Sequence, residues 1–416
     1  QIQKKVVPRL VRRSPKTIWE QTPIKRRALV MLSGGDCAVN PFVGYLTQKL
    51  AKKGYSLAAV VNGLDGIIKE DPSDSIVPIT EEVAQAMPYW PSFEFGSTRR
   101  SLEEGEPETE IALKNIRENC GVLIVIGGND HLYEGKKLGQ LLEEEGIDCI
   151  VVGVPKTVDG DTLYTKPLGI ESAAQKTCEY VYRAAAVPGS KECVIIEVMG
   201  RDSGVLTTRA GDKRLDRVTH LLPRDLRQKA VLIVSTMESY VPEHCISIRE
   251  IRRRAREKME KVGALTYVIS EGFRISPDDP DYSSLIQSNP ALKELMAGIK
   301  PDEQGNLVIP KGMATEFMAE ILKEYNPTIE ILGFTPRGAI PVDEERRMSE
   351  QFAEEVTKAV AEHKKGLAVA YCEDLRYPKK LGRVELVPID TVCGKDEKGK
   401  SLDKDVDNVY PIEELK

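Results

Sequence analysis

The chain has 416 residues, of which 41% are hydrophobic and 30% charged, with a formal net charge of -6. That length supports two or three domains with substantial cores, and the balance is that of a globular protein. The negative charge argues against general nucleic-acid binding, no apolar run reaches transmembrane length, and the first residues lack the apolar core of a signal peptide.

Residues 1–26 are rich in Lys, Arg and Pro, including Arg12-Arg13 and Lys25-Arg26, and are expected to drape over a partner subunit or to move freely. From 27 to 190, short apolar strands alternate with amphipathic helices, the pattern of βαβ units and a parallel sheet. The run Ala28-Leu29-Val30-Met31-Leu32 stops at Ser33-Gly34-Gly35-Asp36, and Val122-Leu123-Ile124-Val125-Ile126 stops at Gly127-Gly128-Asn129-Asp130. A third run, Ile150-Val151-Val152-Gly153, leads into Val154-Pro155-Lys156-Thr157-Val158-Asp159-Gly160-Asp161. Between about Gly169 and Ala186, Ala173, Ala174, Cys178, Val181 and Tyr182 recur at helical spacing, so one helix face is expected to be buried.

A second βα set spans 191–375, with strands near 193–199, 230–236 and 264–270. The helix starting near Ile246 carries Arg249, Arg252, Arg253, Arg254 and Arg256, read as a solvated face, with a regulatory anion site as the alternative. Residues 274–310, opening on Pro277-Asp278-Asp279-Pro280, read as an insertion. A helix from near Asp343 to near Lys364 leads to the strand Leu367-Ala368-Val369-Ala370, both expected to pack back on the first domain; within the C-terminal segment 376–416, the polar run Gly394–Lys400 reads as loop or tail. The eight cysteines are dispersed without a CxxC pair and the four histidines lack metal-ligand spacing, so no structural zinc site is expected and the compartment reads as reducing cytoplasm. The organisation is that of an α/β chain with two Rossmann-like, three-layer βαβ domains.

Three strand ends carry the chemistry. Paired glycines let backbone N–H groups approach an anion, and the helix that follows favours negative charge at its start. The segment from Lys156 to Asp161 adds a lysine, a hydroxyl and two carboxylates. Phosphoryl transfer to an alcohol needs that set: one carboxylate to take the hydroxyl proton, another for Mg²⁺ or its water shell, and a lysine for the departing phosphate. A plain polar turn is the alternative for any one segment alone. Neither glycine pair forms a Walker A loop or a GxGxxG fingerprint.

With Glu197-Val198-Met199-Gly200-Arg201, Ser270-Glu271-Gly272 and Leu332-Gly333-Phe334-Thr335-Pro336-Arg337-Gly338, these segments resemble the ordered motif series of the 6-phosphofructokinases, from about residue 27 to about 375. The resemblance implies a phosphofructokinase-like fold and residue roles. Asp159 would deprotonate the sugar 1-hydroxyl, Thr157 contact the transferred phosphoryl group, and Lys156 neutralise charge beside the donor. Arg201 would stabilise the phosphoryl group, and Arg99 and Gly35 would face the donor. Met199, Gly200 and Glu271 would line the sugar pocket, while Arg337 and Arg346 grip the 6-phosphate with their guanidinium forks. Asp161 would hold Mg²⁺ with Asn129. The family shares active sites between subunits, which implies a homodimer or homotetramer. Each charged residue also has a plainer reading as a solvated surface group.

Asp130 stands where ATP-using members typically have glycine, and its volume and charge would oppose an α-phosphate. With Lys156, it resembles the pyrophosphate-dependent branch, with fructose 6-phosphate and pyrophosphate as substrates. Four positions depart from the family pattern: Asn129 replaces a metal-binding Asp, the loop Gly35–Asn40 is short, Glu192 beside Lys191 replaces a cross-subunit arginine, and Asp343 replaces a phosphate-contacting histidine. All four touch phosphate or metal binding, so three alternatives stay open: an ATP-dependent phosphofructokinase, a kinase of another phosphosugar such as sedoheptulose 7-phosphate, and a non-catalytic sugar-phosphate-binding regulator. His131, after Asp130, is read as a helix-start surface residue, with contact to the donor phosphate as the alternative.

Overall fold

The computed structural model describes residues 16–91, 95–160, 162, 165–186, 193–211, 237–276, 278–301, 307–372 and 383–393. Its strands are β1 (Arg27–Leu32), β2 (Ser56–Val60), β3 (Ile76–Pro78), β4 (Val122–Gly127), β5 (Ile150–Pro155), β6 (Cys193–Val198), β7 (Met237–Tyr240), β8 (Leu265–Ser270), β9 (Lys300–Pro301), β10 (Leu307–Val308), β11 (Thr328–Ile331), β12 (Leu367–Cys372) and β13 (Arg383–Pro388). The chain forms two compact units. One holds the described residues up to Ser172 and from Arg337 onward, the other those from Ala173 to Pro336.

In the first unit the sheet order is β13-β12-β5-β4-β1-β2-β3. Strands β2, β1, β4, β5 and β12 run parallel, with antiparallel β3 and β13 at the edges. Strands β4 and β5 are buried along their whole length and β1 from Ala28 onward, because helices cover both faces of such a sheet. That is why each is a continuous apolar run rather than an alternation. The chain leaves β1 toward β2 on one side and returns to β4 on the other, so the order reverses between β1 and β4. Doubly wound sheets bind ligands outside the strand ends at that reversal.

The helices of this unit begin for local reasons. Proline opens Asn40–Ala51 and Pro107–Asn119, where its missing N–H costs nothing, and Thr80 caps Glu81–Ala86 by accepting from Val83 N–H at 3.3 Å. Asp343–Ala361 starts with Asp343, Glu344 and Glu345, which favour the positive end of the helix dipole. It is ion-paired to Asn40–Ala51 through Lys49 and Glu354 at 2.8 Å. Leu29, Leu123 and Val151 lie in one core with Trp19, over whose ring the Arg27 guanidinium sits at 5.4 Å. Each such side chain stabilises the fold by about 1.5–3 kcal/mol. The stretch from Lys16 to Arg26 is therefore tied to its own unit by a buried tryptophan rather than left free; residues 1–15 lie outside the described residues.

The second unit is built on an all-parallel sheet, β11-β6-β8-β7. Its core includes Ile195, Tyr267 and Phe317, with Phe317 stacked on Tyr282 at 6.1 Å. The region read as an insertion adds helices Tyr282–Ser288 and Pro290–Ala297 and the β9–β10 hairpin, and sends Leu285 and Leu292 into that core. The arginine-rich helix is Ile248–Val262, capped by Ser247 accepting from Glu250 N–H at 3.1 Å. Arg254 pairs with Glu250 at 2.7 Å, Arg253 with Glu250 at 2.7 Å, and Arg252 with Asp281 at 3.5 Å, so these charges are balanced by local carboxylates on a solvated face. The strand expected at 230–236 and the tail at 394–400 lie outside the described residues. Among the described residues no helix is long and apolar enough to cross a membrane.

Candidate active site

The three motif-bearing strand ends of the first unit are neighbours. Leu32 of β1 is in register with Ile126 of β4, and Gly127 of β4 with Pro155 of β5, so Gly34-Gly35, Gly127-Gly128 and Lys156–Asp159 emerge side by side. Backbone bonds lock them together: Ser33 N–H donates to Ile126 C=O at 2.9 Å, and Lys156 N–H to Gly127 C=O at 2.8 Å. The segment from Lys156 to Asp159 is then backed by Leu168, whose N–H donates to Pro155 C=O at 2.9 Å and whose C=O accepts from Thr157 N–H at 3.2 Å. The Thr157 hydroxyl accepts from Asp159 N–H at 3.0 Å, a local turn that fixes the Asp159 backbone.

Lys156 is 2% exposed. Its ammonium donates to Gly35 C=O, and burial, aided by Arg337, holds it below the ordinary lysine range against the opposing pull of Cys37, Asp36 and Asp159. The neighbouring Cys37 thiol is pushed up to about 12 by burial and stays protonated. Arg337 approaches the same loop, donating to Asp36 C=O at 3.3 Å. A Cβ on Gly35 would fall 2.8 Å from Arg337 Nη2 and closer still to Nη1, so only glycine leaves room for the guanidinium. Two cations thus converge on the Gly35–Asp36 backbone. Arg337 was expected on the sugar phosphate; its position against the first glycine loop is visible only in three dimensions.

Arg99 is exposed beside this loop, because Gly34 N–H donates to Thr98 C=O at 2.9 Å and the Ser97 hydroxyl to Gly34 C=O at 2.7 Å. Asp130 is half-buried in the first turn of helix Asn129–Glu144, where a phosphate would otherwise meet the helix dipole. His131 is 7% exposed, not on the surface. Its ring lies against Gly34 and Gly127, positions with no side chain to keep it out. Arg346 stacks over the Tyr89 ring at 5.3 Å, donates to Pro341 C=O and pairs with Asp343. Tyr89 carried no signal in the sequence, since an aromatic ring in a short 3-10 turn shows nothing of its distant partner.

In the second unit, Met199, Gly200 and Arg201 follow β6 and Glu271 follows β8, adjacent strands whose last residues, Val198 and Ser270, are in register. Glu271 accepts from Gly200 N–H at 3.1 Å. Met199 is 7% exposed, and Arg201 Nε bonds Asp202 at 2.8 Å. Glu197, quoted in the motif without a role, is buried. It accepts from Gly312 N–H at 3.2 Å and Thr315 N–H at 3.3 Å, and burial raises its pKa.

Asn129, the first residue of its helix, has a buried amide oxygen, while Asp161, Lys191 and Glu192 lie outside the described residues. Among the described residues no cluster of His, Cys, Asp and Glu forms a metal cage. The Asn129 amide oxygen is a hard, neutral donor of the type that a cation such as Mg²⁺ accepts among water and phosphate oxygens.

Residues 27–360 match the protein family described as Phosphofructokinase. The chain is 30% identical over 188 residues to a pyrophosphate-fructose 6-phosphate 1-phosphotransferase of Mastigamoeba balamuthi, covering 43% of this chain and 44% of that protein. It is 28% identical over 195 residues to an ATP-dependent 6-phosphofructokinase of Amycolatopsis methanolica, covering 45% and 41% respectively. The chain thus spans less than half the length of each of these relatives. In fold it is similar to the crystal structure of a pyrophosphate-dependent phosphofructokinase from Nitrosospira multiformis, with a TM-score of 0.66 and 17% identity, covering 93% of this chain and 92% of that one.

Proposed function

This chain belongs to the phosphofructokinase family, and from that membership we propose that it transfers a phosphoryl group from pyrophosphate to the 1-hydroxyl of fructose 6-phosphate. The products are fructose 1,6-bisphosphate and phosphate, and the exchange of one phosphoric anhydride for an ester is close to reversible. Asp159 takes the hydroxyl proton as the sugar oxygen attacks the phosphorus and the bridging P–O bond breaks. Lys156 neutralises the departing phosphate, Thr157 and Gly35 contact the donor, and Arg99 and Arg201 stabilise charge on the moving group. Met199, Gly200 and Glu271 receive the sugar, with Arg337 and Arg346 for its phosphate. Asp161 and Asn129 would hold Mg²⁺ delivered with the pyrophosphate, and the ion supplies neutralising charge when bound.

The observation that carries the reading is the convergence of the β1, β4 and β5 ends, which brings a glycine loop, a buried lysine and Asp159 to one edge of one sheet. Asp130 carries the choice of pyrophosphate: its carboxylate, in the first turn of its helix, would oppose an α-phosphate there by charge and volume. ATP as donor is the second reading, favoured by the similarity to an ATP-dependent relative. We place the enzyme in the cytoplasm as a homodimer or homotetramer, as the family membership suggests. Asp159→Ala should abolish turnover while sugar-phosphate binding, followed by calorimetry, changes little. Turnover retained in that variant would remove Asp159 from the role of base.

A further inference from the structure

Glu345 is a carboxylate with no exposed surface, placed in the first turn of helix Asp343–Ala361. A buried carboxylate persists only where donors replace its lost water. Here one oxygen accepts from Gly169 N–H at 2.8 Å, and the other from Ser172 N–H and the Ser172 hydroxyl, each at 3.3 Å. Ser172 closes the link by accepting Val342 N–H at 3.3 Å, so the turn at 169–172 and the helix start are bonded in both directions.

What lies at the two ends of this clamp gives it meaning. Gly169 directly follows Leu168, whose backbone bonds Pro155 and Thr157 and so supports the segment from Lys156 to Asp159. A Cβ on Gly169 would fall 2.8 Å from Cys37 Cβ, so the same turn also abuts the first glycine loop. At the other end, Arg346 is the next residue along the helix. We propose that Glu345 is a positioning residue for the reaction proposed above: it fixes the spacing between the Lys156–Asp159 segment and the helix Asp343–Ala361 that carries Arg346. The inference rests on that reading for its function, but on buried hydrogen bonds for its geometry.

The surroundings make the clamp responsive to protonation. Glu345 is faced by Glu171, which is buried and pairs with buried Lys166 at 2.8 Å; Lys166 also reaches Glu344 at 2.7 Å. Cys37 is a further titratable neighbour. Burial pushes Glu345 up to about 7, with Glu171 adding to the rise and the Gly169 and Ser172 donors and Lys166 opposing it. The clamp therefore changes charge near neutral pH. Glu345→Gln keeps the shape but offers a single acceptor oxygen, so one buried N–H loses its partner.

The test compares wild type, Glu345→Gln and Ser172→Ala, full length, in two measurements. The first is amide hydrogen exchange of the segments 156–172 and 339–347, with β2 as an internal control. The second is kcat and KM for pyrophosphate and fructose 6-phosphate between pH 6 and 9. In Glu345→Gln we expect both segments to exchange about tenfold faster while β2 is unchanged. We expect kcat to fall by about tenfold, more than either KM rises, and the inflection near neutral pH to disappear. Ser172→Ala keeps the carboxylate and should shift exchange in the same direction by less, which guards against a Gln variant that fails to fold. Unchanged exchange in both variants, or a wild-type pH profile in Glu345→Gln, would overturn the assignment. If wild type turns over neither pyrophosphate nor ATP, the reaction reading falls, and exchange alone decides whether Glu345 fixes the two segments.

Discussion

Gly35→Ala separates folding from function at the first glycine loop. A Cβ there would sit 2.8 Å from Arg337 Nη2 and nearer to the rest of the fork. Ordinary contact requires the guanidinium to retract by roughly 1 Å or more, which breaks its bond to Asp36 C=O; a misplacement of that size costs about 10²-fold in rate. At 1.36 kcal/mol per decade, that is about 2.7 kcal/mol of transition-state stabilisation. Stability should change little, because the obstructing atoms end a flexible side chain, and the alanine restricts the unfolded chain by about 0.4–1 kcal/mol in compensation. The assay is kcat/KM with pyrophosphate and fructose 6-phosphate beside a thermal melt. We expect about a hundredfold loss with a midpoint moved by no more than about 4 °C. Gly272→Ala is the contrast: its Cβ would lie 2.6 Å from the Arg201 carbonyl carbon, which is backbone, so that variant should lose stability as well. Wild-type kcat/KM in a normally folded Gly35→Ala would show that Arg337 at this loop has no bearing on catalysis.

Asp130→Gly removes the carboxylate from the start of its helix and should admit ATP as donor or ligand; no gain in ATP use or binding would defeat the charge and volume argument. Asp343 pairs with Arg346, so a sugar phosphate must compete with it. Asp343→Asn should lower KM for fructose 6-phosphate by about fivefold with kcat nearly constant, given the modest worth of exposed pairs; an unchanged or higher KM would show that the pair does not oppose the substrate. Glu345, raised to about 7, makes the folded state bind a proton more tightly than the unfolded chain. Its stabilising contribution is therefore complete below the ordinary carboxylate range and is lost as pH rises toward 7. The stability of wild type minus that of Glu345→Gln, from denaturant unfolding, should accordingly fall between pH 5 and 8, and a difference that stays flat or rises would mean that Glu345 does not titrate in this window.

Much of the frame was legible because the physics that buries a parallel strand also writes a continuous apolar run. The runs ending at Leu32, Ile126 and Gly153 were visible as strands, and the polar residues after them drew notice as candidates because strand ends are where an α/β sheet meets its ligands. The arginine run resolved into a solvated face because Glu250 and Asp281 lie within reach. Long-range contacts were silent. Arg337 against Gly35, and Tyr89 under Arg346, join positions hundreds of residues apart and leave no local periodicity. His131 was misjudged because a polar residue at a helix start ordinarily faces water; here two glycines make a slot for its ring. Glu345 passed unnoticed because an acidic first turn is expected of any helix, and only its burial sets it apart.

The central claim is the phosphoryl donor. Purified protein with Mg²⁺ and fructose 6-phosphate should be assayed in parallel with pyrophosphate and with ATP, following fructose 1,6-bisphosphate through a coupled reaction. The account predicts turnover with pyrophosphate and none with ATP. Turnover with ATP alone, or silence with both donors, would contradict it.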